Sequence, residues 1–568
     1  MALATRGPAT DRPTSPDRTN SPPLKLDANE GPRSPLADPR IDLTRYPSTA
    51  PLERRIAEQL GVSPEQVAVT AGADEAIDRV LRGLVGIDGS IALPVPTFEM
   101  IERYAALSRV SIESVTWERG AFPREAFVST AEVADVDALF VVSPNNPTGL
   151  SLDANTLERL RESCPGRPLI VDAAYADFAR DDLTPTALTL EDTVVLRSFS
   201  KGPGLAALRV GYAVGCPKLI DRVRAAGLPF PVAAESVALA MRWLDLDEEE
   251  KREGVERVRA ERDRLREVLT RRGRAARFEA QVEDSDANFV LVRSVAADWI
   301  ENALRTQGIA VRRWPGRSLL EDALRMTLPG NETEYRRLER ALDAALAPEG
   351  FLFDLDGVLA EVSGSYDVAV RRAASSFGLA VSTSEIARVR CGAGVNDDVD
   401  VLRALLNENG LRVTPGEVAR RFQDVYDREQ LANFERLTVD PDALASLSDR
   451  YPIAIVTGRP RTEALDFLER FEIRDRFDAV IAREDAPLKP DPAPVRLALE
   501  RLGISRAWMF GDTPDDMRAA AGAGVIPVGI ALSPSLPFPL RAERRAALET
   551  AGAARVLPDA EAVLQWLR

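Results

Sequence analysis

Short, almost wholly apolar runs alternate with longer stretches of helical spacing along most of this chain, and that alternation predicts its elements. VAVT (67–70), SIALP (90–94), ALFVVSP (138–144), PLIVDAAY (168–175), TVVLRSFS (193–200) and VGYAVG (210–215) read as buried strands. Continuous apolar runs of this kind, separated by helices, predict a mostly parallel sheet covered on both faces. A highly charged helix is expected over about 244–270. A second α+β stretch follows, with strands NFVLVR (288–293) and LRMTLPG (324–330) and a closing helix in ETEYRRLERALDAALA. FLFDLDG (351–357) opens a new series that PIAIVTG (452–458), DAVIA (478–482), AWMFGD (507–512) and VIPVGI (525–530) complete. Helical material at about 362–435 stands between the first two strands of that second doubly wound unit.

The fold class expected is therefore α/β, in two modules at 24–347 and 351–568 with a linker at 348–350. Residues 1–23, rich in Pro, Ser, Thr and Arg, bury too little apolar surface to offset ordering and read as a disordered tail. They hold no apolar stretch of the secretory kind.

Composition removes whole classes of function. At roughly 100–200 residues per domain, 568 residues exclude one small domain. No apolar run nears the roughly 18–20 residues of a membrane span, so no membrane partner is expected. A net charge of −16 argues against nucleic acid. Cys164, Cys216 and Cys391 lie far apart, which points to a reducing, cytoplasmic setting without a disulfide framework. Histidine is absent altogether. That excludes a Ser-His-Asp triad, a Cys-His dyad, imidazole ligands and any His base. Catalysis must then rest on Lys, Asp, Glu, Tyr or a cofactor.

Ser198-Phe199-Ser200-Lys201-Gly202 follows one predicted strand, with Arg209 shortly after. Asp172 and Tyr175 end another, and Ser143-Pro144-Asn145-Asn146-Pro147-Thr148-Gly149 leaves a third. One Asp after a strand usually caps a helix, and Asn-Asn-Pro is usually a turn. The complete series, in order, resembles the fold-type I pyridoxal-phosphate enzymes, specifically the histidinol-phosphate aminotransferase family, over about 24–347. The resemblance implies a large, mostly parallel sheet domain at 51–254 and a small α+β domain from 24–50 and 255–347. It implies pyridoxal 5′-phosphate as cofactor and a homodimer.

By the same resemblance Lys201 forms the Schiff base with the cofactor aldehyde and shuttles the proton. Asp172 faces the pyridine nitrogen, and Tyr175 and Asn146 the ring hydroxyl. Ala73 and Asp74 at a helix start, with Ser198, Ser200 and Arg209, hold the phosphate. Tyr46 reaches that phosphate from the partner subunit. Phe98 packs either on the cofactor ring or in the core. Arg325 clamps the amino donor's α-carboxylate, Arg312 the phosphate end of the substrate, and Asn29 borders the site. The chain departs from the family at Arg313, usually acidic, and at Ile101, usually aromatic.

Asp354-Leu355-Asp356-Gly357-Val358 lies at the end of another apolar strand; Thr457, Lys489 and the run Asp512-Thr513-Pro514-Asp515-Asp516 follow three more. This order resembles the haloacid dehalogenase superfamily of phosphatases over about 350–568, a Rossmann-like domain with a helical cap at about 362–435. The resemblance implies Mg²⁺ held by Asp354, the Asp356 carbonyl, Asp512 and Asp516. It makes Asp354 the nucleophile and Asp356 the acid and base, with Thr457 and Lys489 on the phosphoryl oxygens. Dehalogenation is the lesser alternative. The polar run Asn396-Asp397-Asp398-Val399-Asp400 is either a solvated helix start or a set of carboxylates meeting a cationic substrate.

Together the two resemblances imply consecutive steps of histidine biosynthesis on small phosphorylated substrates, with glutamate and 2-oxoglutarate as the amino couple. The alternatives are a decarboxylase or aminotransferase for another phosphorylated amino compound, or a non-catalytic rear domain.

Overall fold

The computed structural model describes residues 44–275, 279–390, 398–531 and 538–567. Its first sheet comprises β1 (Val67–Thr70), β2 (Ser90–Val95), β3 (Ser111–Thr116), β4 (Ala138–Val142), β5 (Leu169–Asp172), β6 (Thr193–Ser198) and β7 (Gly211–Gly215). The strand order is β1-β7-β6-β5-β4-β2-β3. All neighbours are parallel except β7, which is antiparallel to both β6 and β1. Alternate residues feed two apolar clusters. Val141, Val171 and Val195 face one; Phe140, Ile170 and Val194 face the other. Burial on both faces is why these strands read as unbroken apolar runs. β3 is the strand that the apolar pattern does not mark: it lies at an edge and is largely exposed, so its sequence, SIESVT, carries little hydrophobic signal.

A smaller sheet holds β8 (Gln281–Val282), β9 (Phe289–Arg293), β10 (Arg312–Arg313) and β11 (Ala323–Thr327) in the order β10-β11-β9-β8. The register sets Arg325 opposite Leu291. The charged helix runs Glu248–Ala275 and the later one Glu332–Leu346.

The third sheet is fully parallel in the order β16-β15-β12-β17-β18-β19. Its strands are β12 (Gly350–Phe353), β15 (Ile453–Val456), β16 (Ala479–Ile481), β17 (Ala507–Gly511), β18 (Ile526–Ile530) and β19 (Arg555–Leu557). Between β12 and β15 comes a helical insertion with helices Tyr366–Ser376, Thr383–Arg390, Asp398–Glu408 and Pro415–Arg428. The short antiparallel pair β13 (Ala360–Glu361) and β14 (Arg436–Leu437) joins its two ends.

The chain separates into two compact units that do not follow chain order. One holds the residues through Thr270 with Ala280–Ser294 and Arg313–Tyr335; the other holds Arg271–Glu279, Val295–Arg312 and everything from Arg336 on. Within the second unit Trp299, on helix Ala297–Thr306, meets Trp508 of β17 at 4.6 Å and Trp566 at 4.7 Å between ring centroids. The indole N–H groups of Trp299 and Trp508 donate to the Ala345 and Ala344 carbonyls at 2.9 and 2.8 Å. A helix that precedes β12 in sequence thus covers the β17 side of its sheet. A parallel sheet needs both faces covered, and here part of the cover comes from upstream.

Candidate active sites

Strand register builds the first site. Ser198, the last residue of β6, pairs with Gly211, which in turn pairs with Thr70 at the end of β1. The loop between β6 and β7, carrying Lys201 and Arg209, therefore meets the start of helix Gly72–Val80, where Ala73 and Asp74 lie. Arg209, at φ +53°, donates to Asp74 at 2.8 Å and to the Ser200 hydroxyl at 3.3 Å. The Ser198 hydroxyl accepts the Ser200 amide at 3.0 Å. Gly72 is required here: at φ +79° a Cβ would come 2.6 Å from the Arg209 guanidinium. A cation, two hydroxyls and a helix start converge, which is the donor set of a phosphate cradle.

Asp172, opposite Val142 and Leu196, ends β5 and is buried. Its carboxylate accepts the Ala174 amide at 3.0 Å. Burial pushes its pKa up to about 6, which the Ala174 amide and Lys201 only partly oppose. Tyr175 accepts a hydrogen bond from Asn146 at 3.4 Å, and burial pushes it to about 12. Lys201 Nζ sits 5.2 Å from the centre of the Tyr175 ring. Burial, then Arg325, holds its amine below the usual lysine range. Arg325 donates to the Asn146 amide oxygen and lies 5.1 Å over Phe289 and 5.7 Å over Trp314. A buried carboxylate with one amide donor and, among the described residues, no paired cation fits a protonated pyridine nitrogen, so these residues suit pyridoxal phosphate.

Other expected residues sit differently. Phe98 is partly buried against the apolar cluster of its sheet face. Tyr46 is half exposed and stacks on Phe230 at 4.7 Å. Arg312 is exposed and groups with the second unit. Asn29 lies outside the described residues.

The second site lies at the carboxyl ends of β12, β15 and β17, which the parallel register aligns. Asp354, Asp512 and Asp516 are brought together, their nearest carboxylate oxygens within 4.8 Å of one another. Lys489 pairs with Asp354 at 2.9 Å and also with Asp516, and donates to the Val456 carbonyl at 3.1 Å. Burial opposes the lysine charge, but Asp354 and Asp516 outweigh it and hold the amine above its usual range. Burial drives Asp354 well above the carboxylate range, although Lys489 pulls it down; Asp512 rises to about 6 for the same reason, with Arg544 opposing. Asp516 accepts the amide and hydroxyl of Thr513 at 2.9 and 2.7 Å. At Gly357, φ +73°, a Cβ would come 2.0 Å from the Asp512 carboxylate. Three crowded, buried carboxylates supply the hard oxygen donors that Mg²⁺ takes, and they fit that ion.

Asp356, two residues beyond Asp354, has its Oδ1 held by Arg459 at 2.7 Å. Arg459 is buried and reaches Glu435 at 3.3 Å. Thr457 accepts the Arg459 amide at 3.1 Å. Sequence reading passes over Arg459 and Arg544. The first directly follows Thr457-Gly458, where an arginine carries no signal alone; the second is 32 residues beyond Asp512.

Residues 33–342 match the family model for aminotransferase class I and II. The chain belongs to that aminotransferase family. Residues 348–524 match the model for a haloacid dehalogenase-like hydrolase, so the aminotransferase carries a hydrolase domain behind it. A histidinol-phosphate aminotransferase from Xanthomonas euvesicatoria is 33% identical over 327 residues, 55% of this chain and 88% of that protein. An aromatic amino acid aminotransferase from Cutibacterium acnes is 33% identical over 351 residues, covering 57% and 92%. A solved histidinol-phosphate aminotransferase from Sinorhizobium meliloti, bound to pyridoxal-5′-phosphate, shares 23% identity with a TM-score of 0.48, covering 53% of this chain and 83% of that one. None of the helices described in this aminotransferase is long and apolar enough to cross a membrane.

Proposed function

We propose that this aminotransferase is bifunctional in histidine biosynthesis. Its Lys201 site transfers an amine from glutamate to imidazole-acetol phosphate, and its Asp354 site hydrolyses the resulting histidinol phosphate to histidinol. One observation carries the reading. Carboxylates and a lysine arranged for phosphoryl transfer follow, in the same chain, an aminotransferase with relatives named for histidinol phosphate.

In the first site, pyridoxal phosphate when bound would supply the electron sink that makes the α-proton of an amino acid removable. Asp172 would face its ring nitrogen, Tyr175 and Asn146 its hydroxyl, and Ser198, Ser200, Arg209 and the amides of Ala73 and Asp74 its phosphate. Lys201, its basicity lowered by burial, takes the α-proton from the amino donor and, in the second half of the cycle, gives a proton to the α-carbon of the aminated product. Arg325, its guanidinium between Phe289 and Trp314, binds the α-carboxylate.

In the second site, Asp354 attacks phosphorus and the ester P–O bond breaks, leaving an acyl phosphate on Asp354. Asp356 gives its proton to the leaving alkoxide, then takes one from the water that hydrolyses the acyl phosphate. Lys489 and Thr457 hold phosphoryl oxygens. Mg²⁺, held by Asp354, Asp512, Asp516 and the Asp356 carbonyl, would neutralise the phosphate dianion. The reading further makes the protein a cytoplasmic homodimer, with Tyr46 and Arg312 completing the phosphate and substrate contacts.

A second reading has one specific support: the similarly close aromatic amino acid aminotransferase, together with the Phe289 and Trp314 rings beside Arg325. A coupled assay on the purified chain with pyridoxal phosphate, Mg²⁺ and histidinol phosphate separates the two. Phosphate release and 2-oxoglutarate-dependent glutamate formation are both expected. Glutamate formation from phenylalanine or tyrosine but not from histidinol phosphate would sink the first reading and leave the second.

A further inference from the structure

A cavity of about 870 Å³ opens onto Asp354 and Asp356, walled in part by Tyr366, Arg390 and Phe422 of the helical insertion. Most charges around it are already balanced. Lys489 answers Asp354 and Asp516, Arg544 answers Asp512, and Arg459 answers Asp356 and Glu435. Arg390 pairs with Asp367 at 2.6 Å and with Asp398, while Asp400 pairs with Arg403 at 2.6 Å. Of the two readings of the acidic run, a solvated helix start or carboxylates for a cationic substrate, the second is not favoured, because Asp398 and Asp400 are spent on the protein's own arginines. The run's first members, Asn396 and Asp397, lie outside the described residues.

Glu361, Asp559 and Glu561 also line the cavity without an ion pair among the described residues, but Glu463 is set apart because the charge of Asp356 acts on it. It stands in the first turn of helix Arg461–Arg470 and lines the same cavity as Asp356. Its carboxylate accepts the Tyr366 hydroxyl at 2.9 Å, and among the described residues no lysine or arginine forms an ion pair with it. Arg459 acts on it electrostatically but is fixed elsewhere: bonded to Asp356 and Glu435, its guanidinium lies 5.0 Å from the Tyr366 ring and 5.4 Å from Phe467. Burial raises the Glu463 pKa, with Tyr366 and Arg459 opposing. A half-buried carboxylate that already has a hydroxyl donor and lacks a cation is a site for one.

We propose that Glu463 determines the specificity of the hydrolase site by binding an ammonium group on the leaving group of a phosphomonoester. Asp356 protonates the leaving oxygen, so the leaving group lies against Asp356, and Asp356 is among the charges that act on Glu463. An ammonium there neutralises the carboxylate. A neutral leaving group strips water from it and returns nothing, which is a penalty against the wrong ester. Tyr366 is a positioning residue that fixes the carboxylate toward the cavity. The inference rests on the phosphomonoesterase reading of the Asp354 site and names the class of its substrate.

The test uses the full chain with Mg²⁺ and no 2-oxoglutarate, and compares kcat/KM for three esters: histidinol phosphate, O-phosphoethanolamine and p-nitrophenyl phosphate. The readout is the ratio of each amino ester to p-nitrophenyl phosphate. Glu463→Gln should lower that ratio about 10- to 100-fold for any amino ester the wild type uses, mainly through KM, the size of a lost charge-assisted hydrogen bond. Tyr366→Phe, which keeps the ring, should lower it about 3- to 10-fold. A ratio unchanged in both variants overturns the proposal, as does a wild type that prefers p-nitrophenyl phosphate to both amino esters. A wild type that splits O-phosphoethanolamine but not histidinol phosphate, with the ratio still falling in Glu463→Gln, supports Glu463 and removes the histidine pathway.

Discussion

The two sites bury carboxylates at the carboxyl ends of parallel strands, but they balance the buried charge by different means. In the first, Asp172 has one amide donor and no paired cation among the described residues, and Lys201 stands nearby with its own charge disfavoured. In the second, Asp354, Asp512 and Asp516 are crowded together, yet Lys489 and Arg544 are bonded to them. The first site leaves a charge for an incoming cationic ring to complete. The second is largely completed by protein cations, so a metal ion there strengthens an arrangement that already exists. Cofactor binding should therefore matter more to the integrity of the first site than metal binding does to the second.

The largest effects test whether the sites work independently. Lys201→Ala should lower amino transfer by about 10³-fold or more and leave phosphate release within about two-fold of wild type. Asp354→Asn should do the reverse. The paired assay of glutamate and phosphate decides it, and a large cross-effect in either variant breaks the comparison.

A smaller but still severe effect tests how far the hydrolase is a separable piece. Helix Ala297–Thr306 lies within the residues that match the aminotransferase model, yet Trp299 packs in the second unit against Trp508 and Trp566. Trp299 is almost fully buried, so Trp299→Ala should cost on the order of 3–5 kcal/mol of that unit's stability. Urea unfolding followed by loss of phosphate release would show it. A fragment starting at Gly350 lacks the helix altogether and should unfold at lower urea than the full chain. Equal midpoints would mean that β17 does not depend on this cover.

How much of this is legible in the sequence follows from where the signal lies. β4, β5 and β6 are buried on both faces, so their apolar runs announce them; Asp172 ends β5, Ser198 ends β6, and Asn146 lies in the loop that leaves β4. β3 and β19 lie at sheet edges with exposed positions, where hydrophobic pattern fades. Lys201, Asp172, Asp354 and Asp512 are legible because their motifs are local. Arg459, Arg544, Glu463 and the Trp299–Trp508 contact are not. Each acquires its meaning from a partner far along the chain, and only the folded register brings the two together.

The finest test sharpens the contrast at Asp172 itself. Its carboxyl titrates at about 6 in the folded chain against 3.8 when unperturbed, chiefly because it is buried. Between those two values the folded state holds a proton that the unfolded state has released. Stability from this group is therefore present at low pH and is lost as pH rises through about 4 to 6. Above that window the cofactor-free protein carries a penalty of about 3 kcal/mol. Asp172→Asn keeps an oxygen acceptor for the Ala174 amide and removes the charge. The cofactor-free variant should be more stable than wild type at pH 8, by up to about that amount, with the gap closing by pH 4. Adding pyridoxal phosphate should reverse the order, since only the carboxylate can pair with a protonated ring nitrogen and so gain stability from binding. Thermal unfolding at the two pH values, with and without cofactor, reads all four terms. A cofactor-free variant less stable than wild type at pH 8 would mean that Asp172 is already balanced by the protein, and the two sites would then be alike.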